Sequence, residues 1–545
     1  MKKNIFTLLS LLVALTASAV PAAPYGIRAL LEDGTETTIY LHGDEYYNYV
    51  TDAQGNWLEQ NANGRYDFVP AKSIDEIEAL HQQGMNRLPA AYEATGTSRN
   101  LAPRGLCILV NFKNKKFVTE TAEIDSMLNG RNYQRFRDGS SYPYAKGSTR
   151  QYFINQSHGL YQPDFDVVGP VELDYNYIYY GEGKGDARAR NMIVEAVQKS
   201  HDSLGVNFSV YDNDGDNKVD FVYVLYAGYG AADSPDANTV WPHSSDLSLY
   251  FDIVLDGKQV ATYACSNEIK YNYGQNEQHT GIGTFTHEFS HVLGLPDFYS
   301  TNSNTTHKTL GDWDIMDSGP YNNDGNTPPG YSGYEKWFMD WATPTVVTAD
   351  GQYTLEAFAT TNEFLLVSST RTSNLDGLNP EPKKFWLLEN RQRNSSSWEN
   401  YIPGDGLLLV RVQYNRNKWY MNQVNNDPKD MGVNIIEADG KAPAMGEQGY
   451  NGKADDAFPG VQKKYTSYNA GTFRLDNIKI WNSGKAQFDL AFRGAGIEDV
   501  LTEGETIEAI YDILGKQLPT TDLSTLANGV YVIRTTSGTK KVMIP

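Results

Sequence analysis

Apolar and polar positions recur with different periods along the chain, and the period predicts which elements form. Before residue 70, short alternating runs separated by turn sequences predict short strands. One helix should follow, because Ser73 and Glu76 have the spacing of a capping box ahead of Ile77 and Leu80. The stretch 91–104 is poor in large apolar residues, so we expect an exposed linker there.

The middle of the chain mixes strand and helix patterns. Leu106–Phe112 is an apolar run interrupted only by Asn111, which is typical of a buried strand. Residues 191–204 repeat apolar positions at helical spacing, and Gly205 is a suitable stop. Residues 283–294 also predict a helix, since a glycine and a proline follow the apolar pattern. This mixture extends to about residue 345.

From about residue 350 the pattern becomes mainly β, and the last fifty residues form a separate set of alternating runs divided by glycines. We therefore predict a multidomain α+β protein. Its first large domain has a mixed sheet and the helix 283–294. Mainly β domains follow, of which 346–495 is expected to be sandwich-like.

Composition narrows the function classes. The chain has 545 residues, with 46 basic against 67 acidic side chains and a net charge of −21. It has no basic stripe, so nucleic-acid binding is not expected. Cys107 and Cys265 are the two cysteines, too few for a disulfide framework. Cys107 lies in the apolar run, which favours a buried, inert thiol; one optional disulfide is the alternative.

The N-terminus has the pattern of an export signal. Lys2 and Lys3 precede the apolar run Ile5–Leu15, and small residues then offer cleavage after Ala19 or, alternatively, after Ala22. We predict a signal peptide over 1–19. A membrane anchor is the competing interpretation, but the run is shorter than the roughly 20 residues that a span needs. No other stretch has the length of a transmembrane segment.

A metal-binding pattern lies on the helix predicted over 283–294. His287 and His291 are four residues apart, so both imidazoles face one side and suit two corners of a tetrahedral zinc site. Glu288 beside them is placed to act as general base towards water that the metal activates. Gly294 permits a left-handed turn that returns the chain to Asp297, the candidate third ligand.

This pattern resembles the metzincin metalloproteases, in which a glycine and a third His or Asp ligand follow the HExxH sequence. Met316 lies where those proteins have a Met-turn below the metal. Some of them have a tyrosine two residues later; here that position is Ser318, and Tyr321 is out of register. The oxyanion stabiliser is therefore unassigned.

Within that clan the chain resembles the immune inhibitor A-type family over about residues 25–490. The resemblance implies a zinc endopeptidase with the ligands and base named above, acting on protein or peptide substrates. The stretches that carry it are 147–153 with 157–159, the Asp-rich loop 212–220 with 227–228, then 294–299, 313–316, 404–408 and 437–440.

A second metal site is predicted in the Asp-rich loop. Asp212, Asp214, Asp216 and Asp220 place carboxylates at positions one, three, five and nine, with the Lys218 carbonyl as a backbone ligand. Hard oxygen ligands in one tight loop suit Ca²⁺. The loop departs from the EF-hand pattern, which has a glycine at position six and a glutamate at twelve. A solvated acidic turn is the alternative.

Residues 24–100 resemble the propeptide of the family, which implies a zymogen. A group from this segment must then fill the open metal position, and the segment contains no cysteine. His42 and Asp44 are the candidates, although ordinary polar residues at a strand end would look the same. Arg99 and Arg104 are candidate processing points.

The tail 496–545 resembles the sorting domain of type IX secretion, in the runs 510–516, 526–533 and 540–544. This resemblance implies that the secretion machinery is a partner and that export passes through the periplasm. A carbohydrate-binding module is the alternative for the tail. The predicted divisions are thus 1–19, 24–100, 101–345, 346–495 and 496–545.

Together these features predict a secreted zinc endopeptidase that acts on extracellular or host proteins. The alternative from another class is an adhesin or binding protein whose metalloprotease-like domain is inert. Intact His287, Glu288, His291 and Asp297 argue against that alternative. A metal-dependent amidase acting on cell-wall peptides is a third possibility.

Overall fold

The structure is a computed structural model. It describes residues 20–87, 102–136, 143–181, 188–248, 250–271, 278–302, 307–394, 396–492, 506–522, 526, 529–536 and 538–544. The predicted signal peptide, most of the predicted linker and Arg99 lie outside these ranges. The chain divides into two compact units, one formed by 1–330 with 415–431 and the other by 331–414 with 432–545.

The first unit begins with a five-stranded antiparallel meander followed by a helix. The predicted capping box is confirmed, since Glu76 N–H donates to Ser73 Oγ and Ser73 N–H donates to the Glu76 carboxylate. Ile27, Ile39 and Leu58 form part of a small core beneath the sheet. The elements are β1 Ile27–Leu30, β2 Glu36–Gly43, β3 Asn48–Asp52, β4 Trp57–Gln60, β5 Tyr66–Phe68 and α1 Ile74–Arg87.

A mixed sheet forms the centre of the first unit. Its strand order is β12-β15-β11-β6-β9, and only β12 runs antiparallel to its neighbour. The elements of this region are β6 Arg104–Asn111, α2 Thr121–Asn129, β7 Gln134–Phe136, β8 Pro143–Lys146, α3 Thr149–Gln156, β9 Asp164–Glu172, α4 Tyr177–Gly181, α5 Ala189–Leu204, β10 Lys218–Val219, β11 Val222–Tyr226, β12 His243–Asp246, β13 Val254–Leu255, β14 Lys258–Val260, β15 Thr262–Asn267, β16 Ile269–Lys270, β17 Gln278–His279 and α6 Ile282–Val292.

The sequence patterns explain these central elements. Leu106–Val110 are fully buried in β6, as expected for a strand covered on both faces. Helix α5 ends at Gly205, whose φ of 68° is left-handed and whose N–H donates to the His201 carbonyl. Cys107 and Cys265 are both buried free thiols, so the optional disulfide is not formed.

The second unit is mainly β. Two of its sheets, β18-β20-β21-β22-β23 and β19-β26-β25-β24, contribute side chains to one apolar core, and β27-β28-β29 is a separate sheet. The elements are α7 Gly333–Phe338, β18 Thr345–Val346, β19 Gly351–Leu355, α8 Phe358–Thr361, β20 Leu365–Val367, β21 Lys384–Arg391, β22 Gly406–Gln413, β23 Val433–Ile435, β24 Tyr468–Asn469, β25 Phe473–Ile480, β26 Ala486–Phe492, β27 Ile507–Asp512, β28 Gly529–Thr535 and β29 Gly538–Ile544.

One short helix between β22 and β23, α9 Arg416–Tyr420, belongs to the first unit. The chain is therefore a mixed α/β protein with many separate sheets. Within the part of the chain that the structure describes, no helix is both long and apolar enough to span a bilayer. The metzincin-like detail and the predicted domain boundaries stay predictions.

Candidate metal centre and active site

Three predicted ligands converge at the end of α6. The helix places His287 and His291 on one face, and Gly294, with a φ of 93°, turns the chain towards Asp297. The two imidazole Nε2 atoms are 3.2 Å apart. Asp297 Oδ1 lies 3.2 Å from Nε2 of His287 and 3.4 Å from Nε2 of His291. All three side chains are buried.

These residues fit a tetrahedral metal ion. The Nδ1 atoms lie against carbonyl oxygens, at 2.7 Å from Ile315 O for His287 and 2.8 Å from Leu295 O for His291. A carbonyl can only accept, so Nδ1 carries the proton and the Nε2 lone pairs face each other and the carboxylate. Three electron-rich atoms need a cation between them. Zinc bonds of about 2.0–2.1 Å place tetrahedral ligands about 3.3 Å apart, as these are.

The electrostatics of Asp297 agree with this fit. Its Oδ1 has no hydrogen-bond partner among the described residues, although it is buried. Burial acts to raise the pKa of its carboxyl, but the facing imidazoles of His291 and His287 hold that pKa well below its usual range. This lowering requires a positive charge on the Nε2 side of the imidazoles, and a bound cation would supply that charge in place of the protons.

Asn422 holds the other side of the same carboxylate. Its Nδ2 donates to Asp297 Oδ2 at 2.7 Å, and its Oδ1 accepts from the Asp297 N–H at 2.7 Å. Asn425 Nδ2 also donates to the carbonyl of Phe298 at 2.7 Å. These residues lie in the segment 415–431, which folds with the first unit. The sequence did not predict these two residues, because they lie 125 and 127 residues from the residues that they contact and form no motif.

The predicted Met-turn lies beside the first ligand. Met316 is fully buried, and the carbonyl of Ile315, its neighbour, accepts the hydrogen bond from His287 Nδ1. The Met316 carbonyl accepts from Phe298 N–H at 2.7 Å, directly after Asp297. The backbone of this turn thus hydrogen-bonds to one candidate ligand, His287, and to the residue after another, Asp297.

Glu288, which follows the candidate ligand His287 in α6, is fully buried. Its Oε1 accepts a hydrogen bond from the Val20 N–H at 2.9 Å, and its Oε2 has no partner among the described residues. Burial raises the pKa of this carboxyl well above its ordinary value; the Val20 bond opposes that shift and Asp297 adds to it. The candidate base is thus in contact with the chain's own N-terminal region.

The segment 20–23, directly after the predicted signal peptide, lies in the site. The Tyr321 hydroxyl donates to the Pro21 carbonyl at 2.6 Å, so this tyrosine reaches the peptide bound to Glu288 despite its unexpected register. Three further hydrogen bonds hold this segment. Trp241 Nε1 donates to the Val20 carbonyl (3.0 Å), the Ala22 N–H to the Gly43 carbonyl (3.1 Å) and the Ala23 N–H to the Ala232 carbonyl (2.8 Å).

Both candidate latency residues, His42 and Asp44, form hydrogen bonds with residues outside the metal site. His42 Nε2 lies 2.8 Å from Thr51 Oγ1, and its ring stacks on Tyr49. Asp44 Oδ2 lies 2.9 Å from His81 Nε2. Arg104, a candidate processing point, is the first residue of β6.

The Asp-rich loop brings three of its carboxylates together. One oxygen from each of Asp212, Asp214 and Asp216 lies within 4.8 Å of the others. Lys258 Nζ contacts Asp212 at 2.6 Å, and Asp220 instead accepts from the Asn213 N–H at 2.6 Å. The Lys218 side chain is exposed. Calcium at this loop stays a prediction.

Residues 93–343 match the family model of the immune inhibitor A peptidase M6 catalytic domain. The chain is 26% identical over 425 residues to the pre-pro-metalloprotease PrtV of Vibrio cholerae serotype O1, covering 67% of this chain and 44% of that protein. It is 24% identical over 241 residues to Immune inhibitor A of Bacillus thuringiensis subsp. alesti, covering 39% of this chain and 34% of that protein.

The chain thus contains a peptidase M6 domain and is homologous to these two proteins. It spans less than half the length of either relative. The matched region includes α6, Asp297 and Met316.

Proposed function

We propose that the chain is the precursor of a secreted zinc-dependent endopeptidase. The observation that carries the proposal is the buried convergence of His287, His291 and Asp297 at ligand spacing, with Glu288 beside them. The peptidase M6 match and the relative named a pre-pro-metalloprotease support both the activity and the precursor form.

In this proposal His287, His291 and Asp297 hold the zinc ion. When bound, that ion supplies Lewis acidity, which polarises the scissile carbonyl and lowers the pKa of the attacking water. Glu288 accepts the proton of that water and returns it to the leaving amine. The carbonyls of Ile315 and Leu295 fix the imidazole orientation by accepting from Nδ1.

Tyr321 has a place in the same reaction. Its hydroxyl already donates to a peptide carbonyl, that of Pro21, next to the peptide whose N–H contacts Glu288. A substrate peptide bound in that position would present its own carbonyl to the hydroxyl. We therefore assign Tyr321 as a donor to the substrate carbonyl, where negative charge develops in the transition state.

The test is casein hydrolysis by the activated enzyme with Glu288→Ala. We expect a loss of about 10²–10⁴-fold, the usual contribution of general base catalysis, with zinc content unchanged. Tyr321→Phe should lose about 10²-fold, since one donor to the developing oxyanion is removed. Glu120→Ala, an exposed glutamate ahead of α2, is the matched control and should retain full activity.

Activity that persists in folded Glu288→Ala protein would contradict the assignment of the base. A wild-type protein that holds no zinc and shows no chelator-sensitive proteolysis would instead favour a binding protein with an inert domain.

A further inference from the structure

The side chain of Tyr25 lies between two side chains of the peptidase region. Its ring meets the ring of Tyr321 edge to face, with the ring centres 6.0 Å apart and the ring planes at 88°. The Lys270 ammonium lies 4.8 Å from the centre of the Tyr25 ring. Both partners belong to the peptidase M6 match, so they stay with the enzyme when the N-terminal region is removed. The peptidase region therefore carries a pocket for one aromatic ring.

Lys270 is held in place by its own surroundings. It is the last residue of β16, where it pairs with Gln278 of β17. Its ammonium also contacts the Asp324 carboxylate at 2.7 Å, and its side chain is only 13% exposed. A cation held in this way loses little freedom when a ring packs against it, and partial removal from water strengthens its attraction to the ring.

The backbone ahead of Tyr25 is held by contacts that peptides of other sequence can also make. The Tyr321 hydroxyl donates to the Pro21 carbonyl, and the Ala232 carbonyl accepts from the Ala23 N–H at 2.8 Å. Both hydrogen bonds use backbone atoms of the segment. The chain bends at residues 24 and 25, which returns the Tyr25 ring to Tyr321. The ring contacts of Tyr25 are thus the contacts that depend on which side chain is present.

The pocket contacts the ring of Tyr25 and leaves its hydroxyl unused. That hydroxyl is buried, and none of the residues that the structure describes forms a hydrogen bond with it. Burial raises the pKa of this hydroxyl well above its ordinary value, and Asp233 and Asp324 raise it further, so it stays neutral. A buried hydroxyl without a partner costs binding free energy, and phenylalanine avoids that cost.

We propose that this pocket is a substrate subsite of the peptidase that selects an aromatic side chain, with Lys270 as its specificity-determining residue. The inference rests on the proposed function, because it takes segment 20–25 as a stand-in for bound substrate. When the carbonyl of the cleaved bond lies at Tyr321, as the Pro21 carbonyl does, the selected residue is the fourth on the C-terminal side of that bond. The subsite prefers phenylalanine to tyrosine and to leucine, since an aliphatic side chain has no π-face for the ammonium.

The test uses the zinc-loaded enzyme after removal of its N-terminal region, and fluorogenic peptides that differ only at the fourth position, which carries Phe, Tyr, Leu or Ala. For kcat/KM, Phe should exceed Leu about tenfold, because the ammonium and the Tyr321 ring both favour an aromatic ring. The difference should lie in KM, since the ring contact is the same before and during bond cleavage. Peptides with Phe moved by one residue in either direction should lose the advantage.

Variants of Lys270 test which side chain sets the preference. Lys270→Met keeps the length of the side chain but removes its charge, so it should lower the Phe-to-Leu ratio about fivefold. Lys270→Arg keeps a cation beside the ring and should retain the ratio. Lys113→Met, at an exposed lysine of the same unit, is the matched control. Melting temperature and zinc content control for folding, and Lys270→Gln is measured as well in case the Met variant misfolds.

A Phe-to-Leu ratio that is the same in the parent and in folded Lys270→Met would overturn the role of Lys270. A parent enzyme that cleaves the peptides without preferring Phe would overturn the subsite and leave the proposed function standing. If the parent cleaves none of the peptides, the proposed function fails, and fluorescence anisotropy then measures their binding. A preference for Phe in binding that Lys270→Met removes would support the pocket as a recognition site, whereas equal binding of all four peptides would overturn it.

Discussion

Asp297 is oriented by a side chain that no local motif predicts. Asn422 both donates to its carboxylate and accepts from its N–H, so the two residues form a closed pair of hydrogen bonds. Partners of this kind fix the direction in which a metal ligand presents its lone pairs, and their loss typically costs about 10–100-fold in metal affinity.

We therefore expect Asn422→Gly to weaken zinc affinity about 10–100-fold, as measured by competition with a chromogenic chelator. Glycine is the right replacement because Asn422 has a φ of 52°, a left-handed conformation that glycine adopts without strain. Asn394→Gly is the matched control, since that exposed asparagine has a φ of 65°. Equal affinities in both variants would show that Asp297 needs no support from Asn422.

At this scale, the sequence predicts what is local. His287, His291 and Asp297 lie within eleven residues, and helical spacing followed by a glycine turn is enough to bring them together. Asn422 could not be predicted in this way. Its contact with Asp297 depends on the tertiary approach of a segment far away in the chain, and a single Asn carries no spacing signal.

At the scale of elements, the apolar patterns correctly predicted a strand at β6 and the helices α5 and α6. The run Leu106–Phe112 covers most of β6, which begins two residues earlier at Arg104, and α5 and α6 end within two residues of the predicted positions. The return of α9 to the first unit was not predicted, because nothing in its polar sequence differs from an ordinary surface loop. The sequence likewise predicted only that segment 20–23 lies at the signal-peptide cleavage site, and it did not predict the contacts of this segment with Glu288 and Tyr321.

The Asp-rich loop makes a prediction at the same scale. Asp212, Asp214 and Asp216 repel one another, and Lys258 contacts only the first of them. Calcium would offset this repulsion and hold the loop against β10, which begins at Lys218 and pairs with β14. Millimolar calcium should raise the melting temperature of zinc-saturated protein by about 2–4 °C.

Asp214→Asn should remove this response to calcium, whereas Asp252→Asn, an exposed aspartate of the same unit, should retain it. Scanning calorimetry with a calcium titration measures both. A melting temperature that does not respond to calcium in the parent protein would mean that the loop is a solvated acidic turn.

For the whole molecule, the sequence predicted domains that follow one another along the chain. The structure instead divides the chain into two compact units, and each unit contains segments that are not consecutive in sequence. The predicted propeptide and residues 93–330 of the peptidase M6 match lie in one compact unit, with 415–431 inserted from the β region, and the last residues of the match, 331–343, belong to the other unit. Contacts between distant parts of the chain decide this division, and periodicity along the chain cannot reveal them.

The position of signal-peptide cleavage also depends for its effect on such distant contacts. Processing after Ala19 retains Val20 and Pro21, whereas processing after Ala22 removes the contacts of both residues with the site.

The C-terminal sheet supplies the remaining prediction. Strands β27, β28 and β29 form an antiparallel sheet with its own small core around Ile510 and Ile533. A unit with its own core can be removed without exposing the apolar core that the two larger sheets share. Deletion of 496–545 should therefore leave a folded protein, and under the sorting interpretation that protein should accumulate in the periplasm.

Cell fractionation with immunoblotting, in a host that exports the parent chain, measures the location. The melting temperature of the purified truncated protein controls for its folding. If the folded truncated protein still reaches the medium at the parent level, the sorting interpretation is wrong. Binding of the parent but not the truncated protein to a polysaccharide would then favour the carbohydrate-binding alternative, because the separate sheet would act in recognition after export instead of in export itself.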